Sequence, residues 1–133
     1  MPNRHVTQVA PPAAAGPDQR FPHERLDAYV VARELCGLIA EHRSRLRGLP
    51  GEAGPQLERS VVSTLLNIAE AAGRQGVRDR ARVFALARGE ACEAAAALEI
   101  AVLYGALPAS VAASARALLV RVGQMLTRLA RSV

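Results

Sequence analysis

The sequence predicts an all-α protein, an up-down-up-down antiparallel four-helix bundle, on three observations. Alanine and leucine dominate, β-branched runs are short, and Phe21, Tyr29, Phe84 and Tyr104 are the whole aromatic complement, a composition that favours helix over strand. Four long segments carry apolar residues at helical spacing. The segments are joined by short glycine- and proline-bearing connections, which make sequential helices antiparallel neighbours.

At 133 residues the chain suits one domain with a sizeable core. Met1 to Pro22 holds Pro2, Pro11, Pro12, Pro17, Pro22 and a run of alanines, and reads as a mobile tail; residues 23–133 are the bundle domain. Helix one is expected from His23 or Glu24 to Leu46, with Ala28, Val31, Ala32, Leu35, Leu38, Ile39 and Leu46 on its buried face. Gly48 to Gly54 breaks it, and Pro55 falls in the first turn of helix two, which runs to about Arg74 and stops within Gly73 to Gly76. Helix three is expected from Val77–Asp79 to Tyr104, with Val83, Ala87, Ala91, Ala94, Leu98 and Val102 inward and Gly105 as the residue that ends it. Pro108 opens helix four, whose stripe is Val111, Ala115, Leu118, Leu119, Val122, Met125, Leu126 and Leu129. No repeat at solenoid period is present.

Helix two sorts its side chains most sharply. Arg59, Ser63, Asn67, Glu70 and Arg74 fall within a narrow arc. Val61, Thr64, Leu65, Ile68 and Ala72 point the other way, and Val62 and Leu66 widen the apolar arc beyond what one buried face needs. Leu26, Tyr29 and Val30 lie off the main face of helix one. Both surplus surfaces predict self-association, which would offset the small area that each core alanine buries.

The stretch Ser63-Thr64-Leu65-Leu66-Asn67-Ile68-Ala69-Glu70-Ala71-Ala72-Gly73-Arg74 resembles the S-I-x-x-N-I-A-E-G-x-x-R signature of the 23S ribosomal RNA intervening-sequence proteins. Leu26 to Leu35 is similar to that family's opening segment, with Tyr29 where a tryptophan is usual. Gln56 to Arg59, Ala87 to Glu93 and Met125 to Leu129 are similar to its later motifs. Ala71, Ser60, Leu66 and Glu90 depart from the pattern. The resemblance runs from about Leu26 to Val133, and implies a four-helix bundle assembling as a homopentameric ring. More distantly the chain is similar to the accessory variability determinants of diversity-generating retroelements, basic pentameric bundles that bind nucleic acid and a reverse transcriptase.

Two readings of the polar stripe are open: a ligand or catalytic constellation, or structural use at a helix or subunit contact, with Glu70 paired to Arg74 one turn on. The second is favoured, because ion-pair networks are usually structural and because His5 and His23 lie in or beside the tail while His42 lies near the opposite end, out of reach of Ser63. No histidine and carboxylate spacing suggests a metal, no cofactor loop is present, and Gly73 to Gly76 is too short to hold a phosphate. Cys36 and Cys92 are too far apart for a redox or zinc motif and read as core thiols in a reducing cytoplasm. No segment reads as a signal peptide or membrane span.

All 17 basic residues are arginine and the net charge is +5. An anionic partner would account for this, but coding bias in a GC-rich genome accounts for it better. In the predicted topology, however, Arg74, Arg78, Arg80, Arg82, Arg128 and Arg131 gather at one end, with Arg20 and Arg25 nearby, diluted by Asp27, Glu70 and Asp79. Two functional readings follow. One is a non-catalytic homo-oligomeric scaffold, whose further partner would be a protein; the other is an RNA- or DNA-binding accessory protein using an arginine-rich rim.

Overall fold

The computed structural model describes residues 19–131. Most of the expected tail, up to residue 18, lies outside the described residues. Within them the chain is helical, with four long helices: α1 (Asp27–Glu41), α2 (Ala53–Gly73), α3 (Val77–Leu103) and α4 (Ala109–Ala130). Among the described residues there is no strand. α1 packs on α2 and α4, and α3 packs on the same two helices, so the four surround one core.

The entry into α1 is more broken than the sequence suggests. Pro22–Arg25 is a 3₁₀ turn that packs on α2, Leu26 is extended at φ −91° and ψ 127°, and α1 begins only at Asp27. Tyr29, read as surplus surface, is half-buried, with its ring 4.5 Å from that of His23. Leu26 is half-buried against the core as well. Val30 alone of the three remains exposed.

α1 also stops earlier than expected, at Glu41, and a 3₁₀ segment follows over Arg43–Gly48. In 3₁₀ geometry residues three apart eclipse. Leu46 and Leu49 are three apart and both are buried, so the tighter winding inserts two leucines under the connection while the arginines between and beside them stay in water. Gly54 is buried where a β-carbon would run into the Leu46 carbonyl oxygen, so glycine is what lets the connection cross the start of α2. Pro55 sits in the first turn of α2, where backbone N–H groups have no intrahelical acceptor and a missing one costs nothing.

α3 ends as its sequence demands. Gly105 takes φ 64°, the Ala106 N–H donates to the Ala101 carbonyl at 2.9 Å, and the Gly105 N–H donates to that of Val102 at 3.0 Å, the two bonds of a Schellman motif. Pro108 then caps α4, its carbonyl accepting from the Ala112 N–H at 3.0 Å.

The core combines Leu35, Ile39, Leu57, Val61, Ile68, Val83, Leu98, Val122 and Leu126 with a row of α3 alanines. Val102, expected inside, is 51% exposed, and Phe84, Ala97 and Ala101 take inward positions instead. Over so long an alanine-rich helix the apolar arc has no sharp edge, so a one-step error in its centre moves a terminal valine outside. Met125 and Leu129 on α4 are half-buried rather than central.

Candidate functional site

The polar stripe of α2 resolves into two different environments. Ser63 and Asn67 are half-buried, whereas Arg59 and Glu70 are exposed. Arg59 is turned back along its own helix, donating to Gln56 Oε1 at 2.9 Å, and Gln56 in turn donates to Ser60 Oγ at 3.2 Å. Glu70 accepts from Arg74 at 2.5 Å, an i,i+4 pair. The expected arc of five therefore does not converge on one point. Neither Ser63 nor Asn67 forms a side-chain hydrogen bond with another described residue.

A buried polar pair lies beside the stripe instead. Ser60 is 1% exposed and Thr64 is 0% exposed. The Thr64 hydroxyl donates to the Ser60 carbonyl at 2.7 Å, and Gln56 reaches in to the Ser60 hydroxyl, so among the described residues no buried side-chain polar atom lacks a partner. The apolar positions at Leu57, Val61 and Ile68 bracket this pair. Helical spacing alone marks its burial.

At the junction of α2 and α3 a carboxylate organises two of the six arginines that the sequence expects at one end. Asp79, in the first turn of α3, accepts from Arg74 at 3.2 Å and from Arg82 at 2.9 Å. The Arg82 hydrogen bond first, and the two positive charges with it, hold the Asp79 carboxyl below the usual carboxylate range. Arg74, hydrogen-bonded to Glu70 and close to Asp79, is held more firmly protonated than an isolated guanidinium. Asp79 also sits where the helix dipole favours a negative charge. Two of the six arginines, Arg74 and Arg82, are thus largely neutralised by their own neighbours. Arg78, Arg80, Arg128 and Arg131 form no ion pair with a described residue.

Other titratable groups are placed as follows. Glu90, the residue that departs from the family's serine, has its carboxyl pushed up, chiefly by burial and then by the neighbouring charge of Glu93. Burial raises the Cys36 thiol. Cys92, read as a core thiol, is exposed, and both cysteines are free. The inward positions of that part of α3 are Ala87, Ala91 and Ala94, which leaves residue 92 on the opposite side. His23 lies between the rings of Phe21 and Tyr29, and His42 donates from Nδ1 to the Leu38 carbonyl at 3.0 Å. Among the described residues no group of three or more histidine, cysteine, aspartate or glutamate side chains is arranged to hold a metal ion.

Residues 24–128 match the family model of the 23S rRNA-intervening sequence proteins. The chain belongs to that family. No curated protein matches the chain. The four long helices are consistent with that membership, which leaves the role of the individual side chains to their geometry. Among the described residues no helix is long and apolar enough to cross a membrane.

Proposed function

We propose that this family member is a non-catalytic scaffold that works as a homo-oligomer in the cytoplasm. Its helices run up-down-up-down, each antiparallel to its chain neighbours. The surface between α3 and α4 supports that order, because Arg88 shares a depression with Thr127 and Val102 shares one with Ala109, early residues of one helix beside late residues of the other. The observation that carries the assembly is apolar surface left open: Leu66 is 63% exposed, Val30 56% and Val62 45%. Isolated exposed valines and leucines are ordinary, but three on adjacent helices mark surface that burial would stabilise. Five copies is the number that the resemblance implies. His23 is engaged with the rings of Phe21 and Tyr29 and His42 with the Leu38 carbonyl, so neither is hydrogen-bonded to Ser63, which supports a role without catalysis. Two unpaired cysteines fit a reducing compartment. Light scattering coupled to size exclusion is expected to give a mass near five chains, and a strict monomer at micromolar concentration overturns the proposal.

A second reading rests on a separate observation. α4 carries Arg116, Arg121 and Arg128 and no acidic residue, and Arg78, Arg80, Arg128 and Arg131 lack carboxylate partners among the described residues. In the antiparallel order these last four meet at one end and would form a basic rim around a ring, suited to the phosphate backbone of RNA or DNA. Gel-shift titration against single-stranded RNA, duplex RNA and duplex DNA at low salt tests it, and no shift with any of them leaves the scaffold reading alone.

A further inference from the structure

An open groove runs between α3 and α4, made of two depressions of about 360 and 370 Å³ that share Ala95, Leu98 and Arg116. Its walls are mostly small and apolar, with Val102 51% and Val120 46% exposed. Arg88, Arg116 and one acid, Glu99, stand along it, none in an ion pair with a described residue, so positive charge outnumbers negative there. Such a surface accepts an elongated element on which acidic residues alternate with small or apolar ones.

The chain itself contains that element. On α1 the residues Asp27, Val30, Glu34, Gly37 and Glu41 recur at helical spacing and all five are exposed, opposite the buried positions Ala28, Val31, Ala32, Leu35 and Ile39. None of the three carboxylates is paired with a described residue. Nothing lies within 4 Å of where a β-carbon on Gly37 would sit, so another backbone can approach α1 closely there. Lengths agree as well: α1 extends about 21 Å from Asp27 to Glu41, and the stretch of α3 from Arg88 to Val102 also extends about 21 Å. The other exposed apolar pair, Val62 and Leu66 on α2, is a poorer match, because the acids of that helix, Glu58 and Glu70, are already paired with Arg43 and Arg74.

We propose that the α3/α4 groove of one copy receives the outer face of α1 from a second copy. The inference rests on the self-association reading and says how the copies join. Two different surfaces meet, so the contact is heterologous, the kind that repeats head to tail and closes into a ring. Glu34 and Glu41 then find counterions in Arg116 and Arg88 respectively, and Val30 covers Val102.

Charge reversal on each side provides the test, with helical circular dichroism read alongside. The groove variant is Arg88→Glu with Arg116→Glu, and the α1 variant is Glu34→Arg with Glu41→Arg; all four positions are exposed. Each variant alone is expected to fall to the mass of one chain. A variant that carries all four reversals is expected to regain the parental mass, because every reversed groove then meets a complementary α1 on the next copy. Gly37→Trp, which blocks the contact without changing charge, is expected to fall to one chain too. An oligomeric parent whose groove variant and Gly37→Trp variant both keep the parental mass overturns the inference and leaves self-association standing. A monomeric parent removes the self-association reading itself. If groove reversal spares the mass but abolishes retention of a single-stranded RNA oligonucleotide, the groove belongs to a polyanion and the inference is overturned.

Discussion

Glu90 shows how a single side chain carries both a cost and a signal. Burial and the charge of Glu93 push its carboxyl up, so the folded protein holds this proton more tightly than the unfolded chain does. Stability therefore falls as pH rises through the ordinary glutamate range and above it, and the penalty disappears in acid, where both states are protonated. Glu90→Gln is expected to raise Tm at neutral pH and to lose that advantage at acid pH, which thermal melts across the pH range will read. Gly54 acts in the opposite sense. Its substitution by alanine forces a methyl against the Leu46 carbonyl and is expected to cost about 1–3 kcal/mol, the range of overpacked sites. Chemical denaturation of Gly54→Ala measures it, and an unchanged midpoint overturns the account. Neither effect is legible in sequence: Gly54 reads as one of several loop glycines, and Glu90 as a surface acid on a helix too rich in alanine to show a clear face.

At the scale of elements, the helix ends that were legible are those with local chemistry. Gly105 and Pro108 bracket the turn between α3 and α4, and the structure uses both as caps. The end of α1 was not legible, because Leu46 is apolar at helical spacing from Ile39 and is buried whether the chain continues as α-helix or tightens to 3₁₀. Tertiary burial of Leu49 decides between them. The junction of α2 and α3 depends on Asp79, which gathers Arg74 and Arg82. Its depressed carboxyl contributes stability that is present above the ordinary aspartate range and is lost as pH falls through the lower, folded-state value. Asp79→Asn is expected to lower Tm slightly at neutral pH and to flatten the acid limb of the stability profile. The change is small because all three groups are substantially solvated. Equal pH profiles for parent and variant would show that the bridge contributes nothing.

For the whole molecule, the family and the four helices were legible because their signals recur along most of the chain, whereas the pairing of the arginines was not. Sequence counts arginines, but pairing depends on where Asp79 and Glu70 point. The four arginines that stay unpaired, Arg78, Arg80, Arg128 and Arg131, are the ones that a nucleic acid would meet.

Binding there would be driven by counterion release, so the logarithm of affinity should fall linearly with the logarithm of salt, by about 0.7 for each phosphate neutralised on a single strand. Arg78→Glu with Arg80→Glu is expected to abolish binding at low salt while leaving helical signal and oligomer mass unchanged, since both side chains lack partners to lose. Asp79→Asn should act the other way, tightening binding and steepening the salt slope, because it removes a negative charge, releases Arg82 and leaves Arg74 held by Glu70 alone. Fluorescence anisotropy of labelled single-stranded RNA over a salt series measures all three proteins together. Opposite shifts for the two variants place the polyanion on this end of the bundle. Binding that survives the double reversal assigns it to another surface, and the arginines are then a compositional feature of a chain that contains no lysine.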